Sequence, residues 1–326
     1  MTTGALVISR VPGGSSVGAV GVIDWLMEGD PAIRWQVMRD LTDAPVGDVA
    51  RERSLVAEVG WGRRLLDLQG EDGRWGGGAY SPKWISTTYT LLDLRHLGVD
   101  PAGDRVRSAI QRVAANVTMG DGPWPFFAYR GETCITGMVL GLAAHFAVDD
   151  DLGAVDFLLD QRREDGGWNC DWGDGSTRSS FNTTLSVLEG LWQHEQARGA
   201  DRDVAQARTR AQEYLLERHL MRRKSTGEII NRRWLLFSFP PRWFYDVLRA
   251  LDYLRSAGVP VDDRCNEALS LLQSKRRVDG TWPLQNPHPG RVHFQMEDGA
   301  GKPSRWNTLR AMRVLRWAGR LEPISD

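Results

Sequence analysis

The side chain best suited to chemistry stands in Phe244-Tyr245-Asp246-Val247-Leu248, a carboxylate one turn into an otherwise apolar helical segment and three residues before Arg249. Burial raises the pKa of such a group and a neighbouring guanidinium lowers it, and either shift suits a general acid or base. Asp246 is therefore the first catalytic candidate. Its structural alternative is an ion pair with Arg249 or Arg310 that holds neighbouring helices together. Glu132, at the start of another apolar segment, is the second catalytic candidate, although an acid in a first helical turn also complements the helix dipole.

The elements that must position these residues come from a repeat. Asp-Gly-x-Trp recurs at Asp72–Trp75, Asp121–Trp124, Asp165–Trp168 and Asp279–Trp282, and each copy is followed by an apolar helical pattern. A lone Asp-Gly marks a turn. Four copies with tryptophan at a fixed offset mark a repeat architecture. The tryptophans at 75, 124 and 168 fall 49 and 44 residues apart, and the 114 residues from Trp168 to Trp282 leave room for two units, with a degenerate turn at Ser225–Glu228. Central helices are expected over 84–97, 132–146, 181–196, 243–256 and 306–317. Amphipathic helices are expected between them over 102–117, 151–163, 201–221 and 262–277. Asp30-Pro31 opens an extra N-terminal helix as N-cap and first-turn proline, and a further helix is expected over 48–69. Strand-like alternation is absent, so the expectation is an all-α repeat protein, an open solenoid or a closed ring.

Aligning the central helices on Leu92, Gly141, Gly190, Ala250 and Ala311 places Thr88, Gly137, Ser186, Asp246 and Asn307 four residues earlier. Residues four apart share a helix face. Every member of this set is small or polar, which predicts a wet central cavity lined by Thr88, Ser186, Asp246 and Asn307. One position before the alignment point lie Leu91, Leu140, Glu189, Arg249 and Arg310, which adds a charged wall.

Trp84, Trp124, Phe126, Phe127, Trp172, Trp234, Trp243 and Trp306 cluster near the central-helix starts, so the mouth is expected to be aromatic, with Tyr245 beside it. Such rings shelter cations or simply fill core. Lys83, Arg130, Arg178, Arg233, Arg242, Arg291 and Arg305 share that rim. Arginine forks bind phosphate or carboxylate bidentately, so an anionic substrate group is expected there. The long loop over 283–303 is expected to cover the mouth. The six histidines add nothing, and no Gly-rich phosphate loop, HExxH or GxSxG is present.

The whole-chain properties narrow the class. A net charge of −1 excludes nucleic-acid binding by bulk electrostatics, and 41% hydrophobic with 25% charged residues describe a chain with ample core. Three cysteines without CxxC spacing argue against a disulfide framework and for a reducing compartment. No window approaches a membrane span. Residues 1–22 are expected to form a flexible arm without a signal peptide, and 23–326 a single domain in a cytoplasmic protein.

Gln69-Gly70-Glu71-Asp72-Gly73-Arg74-Trp75 resembles the Gln-x-x-x-Gly-x-Trp motif of squalene–hopene cyclases, with Arg162 and Arg276 at the Gln position of later copies. The alternating helices also resemble the β subunits of protein prenyltransferases, and the overall pattern is similar to a bacterial group of squalene cyclase-like proteins. The resemblance implies an (α/α) toroid of about five to six helix pairs around a central cavity. Class II cyclases protonate an alkene with Asp-x-Asp-Asp; here the one acidic cluster, Asp149-Asp150-Asp151, follows a helix and reads as capping.

Prenyltransferases hold zinc with Asp-x-Cys on one inner helix and His on the next. Glu132-Thr133-Cys134 matches the first half, but the aligned histidine position holds Thr183, with Asn182 beside it, and nothing in the spacing of Cys170 requires it to join them. Neither metal nor cofactor is therefore expected.

The function expected is intramolecular ring formation in a secondary-metabolite or isoprenoid pathway, with an anionic leaving group. Asp246 and Glu132 would move protons. The substrate would touch Trp84, Thr88, Cys134, Asn182, Ser186, Arg242, Trp243, Tyr245, Arg249, Arg305, Trp306 and Asn307. The alternatives are a zinc-dependent prenyltransferase-like subunit and a non-catalytic ligand-binding toroid. A partner subunit or a second copy is left open.

Overall fold

The computed structural model describes residues 21–120, 122–148, 153–171 and 175–321. The N-terminal arm, Asp149–Asp151 and Trp172 lie largely or wholly outside them. Six inner helices form a ring: α2 (Pro31–Asp40), α5 (Thr87–Leu97), α7 (Thr133–His145), α9 (Phe181–Arg198), α11 (Val247–Ser256) and α13 (Arg305–Trp317). Outside them run α1 (Val22–Met27), α3 (Val46–Ser54), α4 (Gly60–Asp67), α6 (Asp104–Asn116), α8 (Ala154–Asp160), α10 (Arg202–Leu216) and α12 (Asn266–Ser274). Two two-stranded antiparallel pairs, Thr118–Met119 with Trp124–Pro125 and Trp282–Pro283 with Pro303–Ser304, tie loops to the ends. This is the α/α toroid expected.

The ring closes through α2. Trp35 Nε1 donates to the Leu97 carbonyl at 2.9 Å and Gln36 Nε2 to that of His96 at 3.0 Å, which joins α2 to α5. On the other side Arg313 Nη1 reaches Gln36 Oε1 at 2.9 Å, which joins α13 to α2. Arg305 stacks over Trp25 at 4.5 Å and donates to its carbonyl, so α1 is held against α13. Arg305 thus fastens the ring rather than lining a cavity.

Three of the four turn tryptophans act as identical bolts. Trp75, Trp168 and Trp282 are buried, and each indole N–H donates to a carbonyl ten residues earlier, on Leu65, Leu158 and Leu272. Their backbone N–H groups go to the hydroxyls of Thr87, Thr184 and Thr308 on the next inner helix. Each bolt fixes an outer helix, a turn and an inner helix at once. The fourth copy differs: Trp124 is 39% exposed under the Arg130 guanidinium, and Phe126 and Phe127 fill the core there instead. The degenerate turn near 225 is present, with Arg222 and Ile229 bridged around Gly227.

Two expectations about helices fail for steric reasons. The helix over 48–69 breaks into α3, a 3-10 turn at Leu55–Ala57 and α4, because Gly60 adopts φ +73 against the Asp30 cap, where a Cβ would lie 2.1 Å from Oδ2. The small residues on α7 and α9 serve close helix packing rather than a cavity: a Cβ on Gly190 would fall 2.1 Å from the Gly137 carbonyl.

Candidate functional site

The main cavity, about 310 Å³, lies towards the C-terminal ends of α2, α5, α7 and α9 and runs along α11 and α13. Aromatic rings of Trp35, Phe239 and Trp306 form part of its wall, with Phe239 and Trp306 stacked at 4.2 Å. Seven arginines line it, Arg39, Arg53, Arg95, Arg249, Arg255, Arg310 and Arg313, against two carboxylates, Glu189 and Asp252. Exposed Arg39 stands at its outer edge, over the Trp35 ring.

The two carboxylates are shared. Glu189 accepts from Arg249 Nε and Nη2, each at 2.8 Å, and lies 3.7 Å from Arg95. Burial pushes its pKa up, but Arg249 and Arg95 outweigh this and hold it below the usual range. Asp252 is likewise penalised by burial, yet Arg313, Arg255 and Arg310 converge on it and depress it strongly. Arg310 is further held by the Ser238 carbonyl at 3.0 Å, and Arg53 by that of Gly98 at 2.8 Å. Arg95 has the longest ion pair of the set, and Arg53 is held by carbonyls rather than a carboxylate.

Two histidines line the same cavity. Burial, then Arg95 and Arg53, push the pKa of His145 down to about 3, and its Nε2 is buried without a partner. His96 is lowered by burial and by Arg95, Arg310, Arg249 and Arg242, and its Nδ1 is also unpartnered. Both are neutral imidazoles with a spare ring nitrogen. Nothing in the sequence pattern set these histidines apart. The arginines had a signal: charges recurring on helices whose other faces are apolar.

Of the residues expected at the site, Arg249 and Trp306 line this chamber. The row Thr88, Ser186, Asp246 and Asn307 does not. Thr88 Oγ1 donates to the Ala79 carbonyl, Ser186 Oγ accepts from Arg249, and Asn307 Nδ2 donates to Pro283 and Phe237. Asp246 is not one turn into α11 but its N-cap, accepting from the Arg249 N–H at 2.8 Å. Burial raises its pKa, opposed chiefly by Arg310. The neighbouring row that includes Glu189, Arg249 and Arg310 is the one that faces the void.

The expected aromatic mouth at the inner-helix starts is a filled plug. Trp84 meets Tyr89, Phe244 and His288, while Trp243 stacks on Phe244. Loop 284–302 seals this end: Trp84 Nε1 donates to the Pro289 carbonyl, and His293 Nε2 meets Thr90 Oγ1 at 2.9 Å. Under the loop Arg242 pairs with buried Asp93 at 2.8 Å beside a small cavity of about 90 Å³. Tyr245 is buried with its hydroxyl on the Leu220 carbonyl, and Asn182 Oδ1 accepts from the Tyr245 N–H. The loop does cover a ring end, the one opposite the open chamber.

At the starts of α7 and α9 a second group converges. Donor atoms of Glu132, Cys134 and Cys170 all lie within 4.8 Å of one another. Cys170 Sγ accepts from the Cys134 N–H at 3.3 Å and from Thr183 Oγ1 at 3.5 Å. The bond to the Cys134 thiol, helped by Thr183 and opposed by burial, holds Cys170 down to about 7, while the same bond and burial push Cys134 up.

No protein-family model matches the chain, and no curated protein matches it in sequence. Among solved structures, a protein from Actinoplanes aligns at 18% identity and a TM-score of 0.44, over 89% of this chain and 90% of that one. The type II terpene cyclase MstE from Scytonema aligns at 16% identity and a TM-score of 0.43, over 90% of this chain and 89% of its own. Neither likeness speaks to chemistry. Among the described residues no helix is long and apolar enough to cross a membrane.

Proposed function

We propose that the protein is a small-molecule enzyme of the cyclase or lyase type, which holds a compact anionic substrate in the arginine-walled chamber and closes a ring within it. The observation that carries this reading is the charge imbalance of the wall, seven arginines against two carboxylates. Uncompensated guanidinium groups at a partly buried site are costly unless an anion joins them. A volume of about 310 Å³ equals that of about ten waters, so the substrate is compact rather than a long isoprenoid chain.

The chemistry follows from the wall. Arginines hold the oxygens of the anionic group and stabilise it as it departs with the electron pair of its C–O bond. The π electrons of an alkene in the same molecule form the new carbon–carbon bond. Trp35, Phe239 and Trp306 shelter the positive charge that remains. Neutral His145 or His96 then accepts the proton lost from the adjacent carbon. In this reading Asp246 is a positioning group that caps α11 and faces Arg310. Glu132, at the far end of α7, takes no part in the proton transfer.

Calorimetric titration with inorganic pyrophosphate, followed by a mass-spectrometric search for cyclised products from compact prenyl phosphates, tests the reading. Arg95→Met removes a charge-assisted contact of about 1.5–3 kcal/mol, so pyrophosphate should bind about tenfold to a hundredfold more weakly. If the folded wild type binds no anion at all, the proposal fails.

A further inference from the structure

We propose that Glu132, Cys134 and Cys170 form a three-ligand site for a soft divalent cation of the zinc class. The site is separate from the chamber. Cys134 and His145 sit eleven residues apart on α7, about 16 Å along its axis.

The donor set is the first argument. Two thiolates and a carboxylate are ligands that zinc accepts, and three protein ligands leave one position open. Their spacing is the second. Tetrahedral zinc with metal–sulfur bonds of about 2.3 Å places its sulfurs about 3.8 Å apart. Donor atoms already within 4.8 Å of one another need to close by about 1 Å at most, a side-chain adjustment.

Rigidity is the third. Glu132 is the N-cap residue of α7 and Cys134 lies in its first turn. Cys170 follows Trp168 by two residues, and that tryptophan is fixed at both nitrogens, by the Leu158 carbonyl at 2.6 Å and the Thr184 hydroxyl at 3.0 Å. The turn bolt therefore delivers Cys170 to the start of α7. This ligand comes from the loop before α9 and not from α9 itself, where the facing side chain is Thr183, bonded to the sulfur rather than to an ion. Thr183 and the Cys134 N–H orient the Cys170 sulfur from outside the ligand set.

A dithiol without a metal has another fate, a disulfide formed with loss of two hydrogens to an oxidant. The carboxylate favours the metal, since it has no part in a disulfide. Glu132 is also exposed, which leaves the open position within reach of solvent.

The test uses the full chain. Metal content is measured on freshly purified protein, which is then stripped with chelator and titrated with cobalt(II). One equivalent should bind, with a thiolate-to-cobalt charge-transfer band and d–d intensity of a tetrahedral site. Cys134→Ser and Cys170→Ser should each cut the thiolate band to about half or weaken affinity by more than about 100-fold, while Cys265→Ser, buried elsewhere, should leave it unchanged. Should the serine variants misfold, Cys170→His keeps a zinc ligand and should bind cobalt with a lower charge-transfer intensity. No band in protein whose thiols react freely overturns the proposal. A mass two hydrogens low with unreactive thiols overturns it in favour of a redox pair. Stripping the metal should leave pyrophosphate binding in the chamber unchanged, so the two sites fail independently.

Discussion

Replacing Glu189 with glutamine removes the carboxylate that Arg249 and Arg95 share while keeping the side chain's shape. Breaking one partner of a buried pair costs about 3–5 kcal/mol. The Glu189 side chain is 18% exposed, so the lower end applies, about 3 kcal/mol. For 326 residues the unfolding entropy is about 0.7 kcal/mol/K, so the melting temperature should fall by about 4 °C. Anion binding should move the other way. A carboxylate about 6 Å from a bound anion opposes it by about 2.8 kcal/mol per unit charge at an effective dielectric of 20, and even half of that is tenfold in affinity. E189Q should therefore bind pyrophosphate at least about tenfold more tightly than the wild type. At one hundred times Kd the ligand adds about 2.7 kcal/mol, which returns about 4 °C. Differential scanning fluorimetry and calorimetric titration read both effects. A variant that melts with the wild type and binds no more tightly would show that the arginines are satisfied without an anion.

Other perturbations probe the frame. Trp168→Phe leaves the Leu158 carbonyl buried without its donor and should lower stability by about 1–3 kcal/mol in denaturant titrations. Gly190→Ala should be worse than an ordinary helix substitution, because the added methyl meets the Gly137 carbonyl; a melting temperature above wild type would contradict that packing. Burial lowers His145 to about 3 and His288 to about 4. Their folded pKa values lie below the unfolded value, so their contribution to stability is intact above about pH 6.5 and lost as pH falls towards 3. Glu297 runs oppositely. Burial raises it to about 7 despite the Ser304 and Trp306 hydrogen bonds. Its stabilising effect is full below about pH 4.5 and lost as pH rises through 7. Hydrogen exchange in loop 284–302 should quicken over that window, and Glu297→Gln should remove the pH dependence.

The helices were legible because a 3.6-residue apolar period survives in the inner segments, and the tryptophan bolt was legible because its offset never varies. What the pattern could not separate is two uses of a small residue. Gly137, Gly141 and Gly190 are small because α7 and α9 touch there, and Thr88 because its hydroxyl serves a loop carbonyl. Both read identically to cavity lining. Periodicity names a face but not an end, so the mouth of the central cavity was expected at the helix starts, where aromatics and loop arginines gather. The structure fills that end with Trp84, Phe244 and His288. Asp246 was misplaced by one helical turn because Phe244 and Tyr245 extend the apolar run before the helix begins. Cys170 was not assigned to the Glu132 pair because its approach depends on the Trp168 turn, a tertiary fact.

The chamber's charge decides what it can hold. The C-terminal ends of α2, α5, α7 and α11 reach it, at Arg39, His96, His145 and Ser256, and each helix end contributes about half a negative charge. A purely structural account would have the arginines neutralise those ends. Seven arginines less Glu189 and Asp252 leave five positive charges, and Asp40, which pairs with Arg313, reduces this to four. These four helix ends offset about two. The remainder is about two positive charges, or about one when Asp246, which faces Arg310, is ionised, small enough for the fold to bear and large enough to bind. Acetate, hydrogen phosphate and pyrophosphate therefore form a graded probe. Affinity should rise steeply from the first to the second and little from the second to the third, because the third brings charge that the wall no longer matches. In E189Q, with one more uncompensated positive charge, the second step should also become steep. Equal affinities for all three anions would mean that the helix ends already neutralise the wall, and the arginines would then be structural.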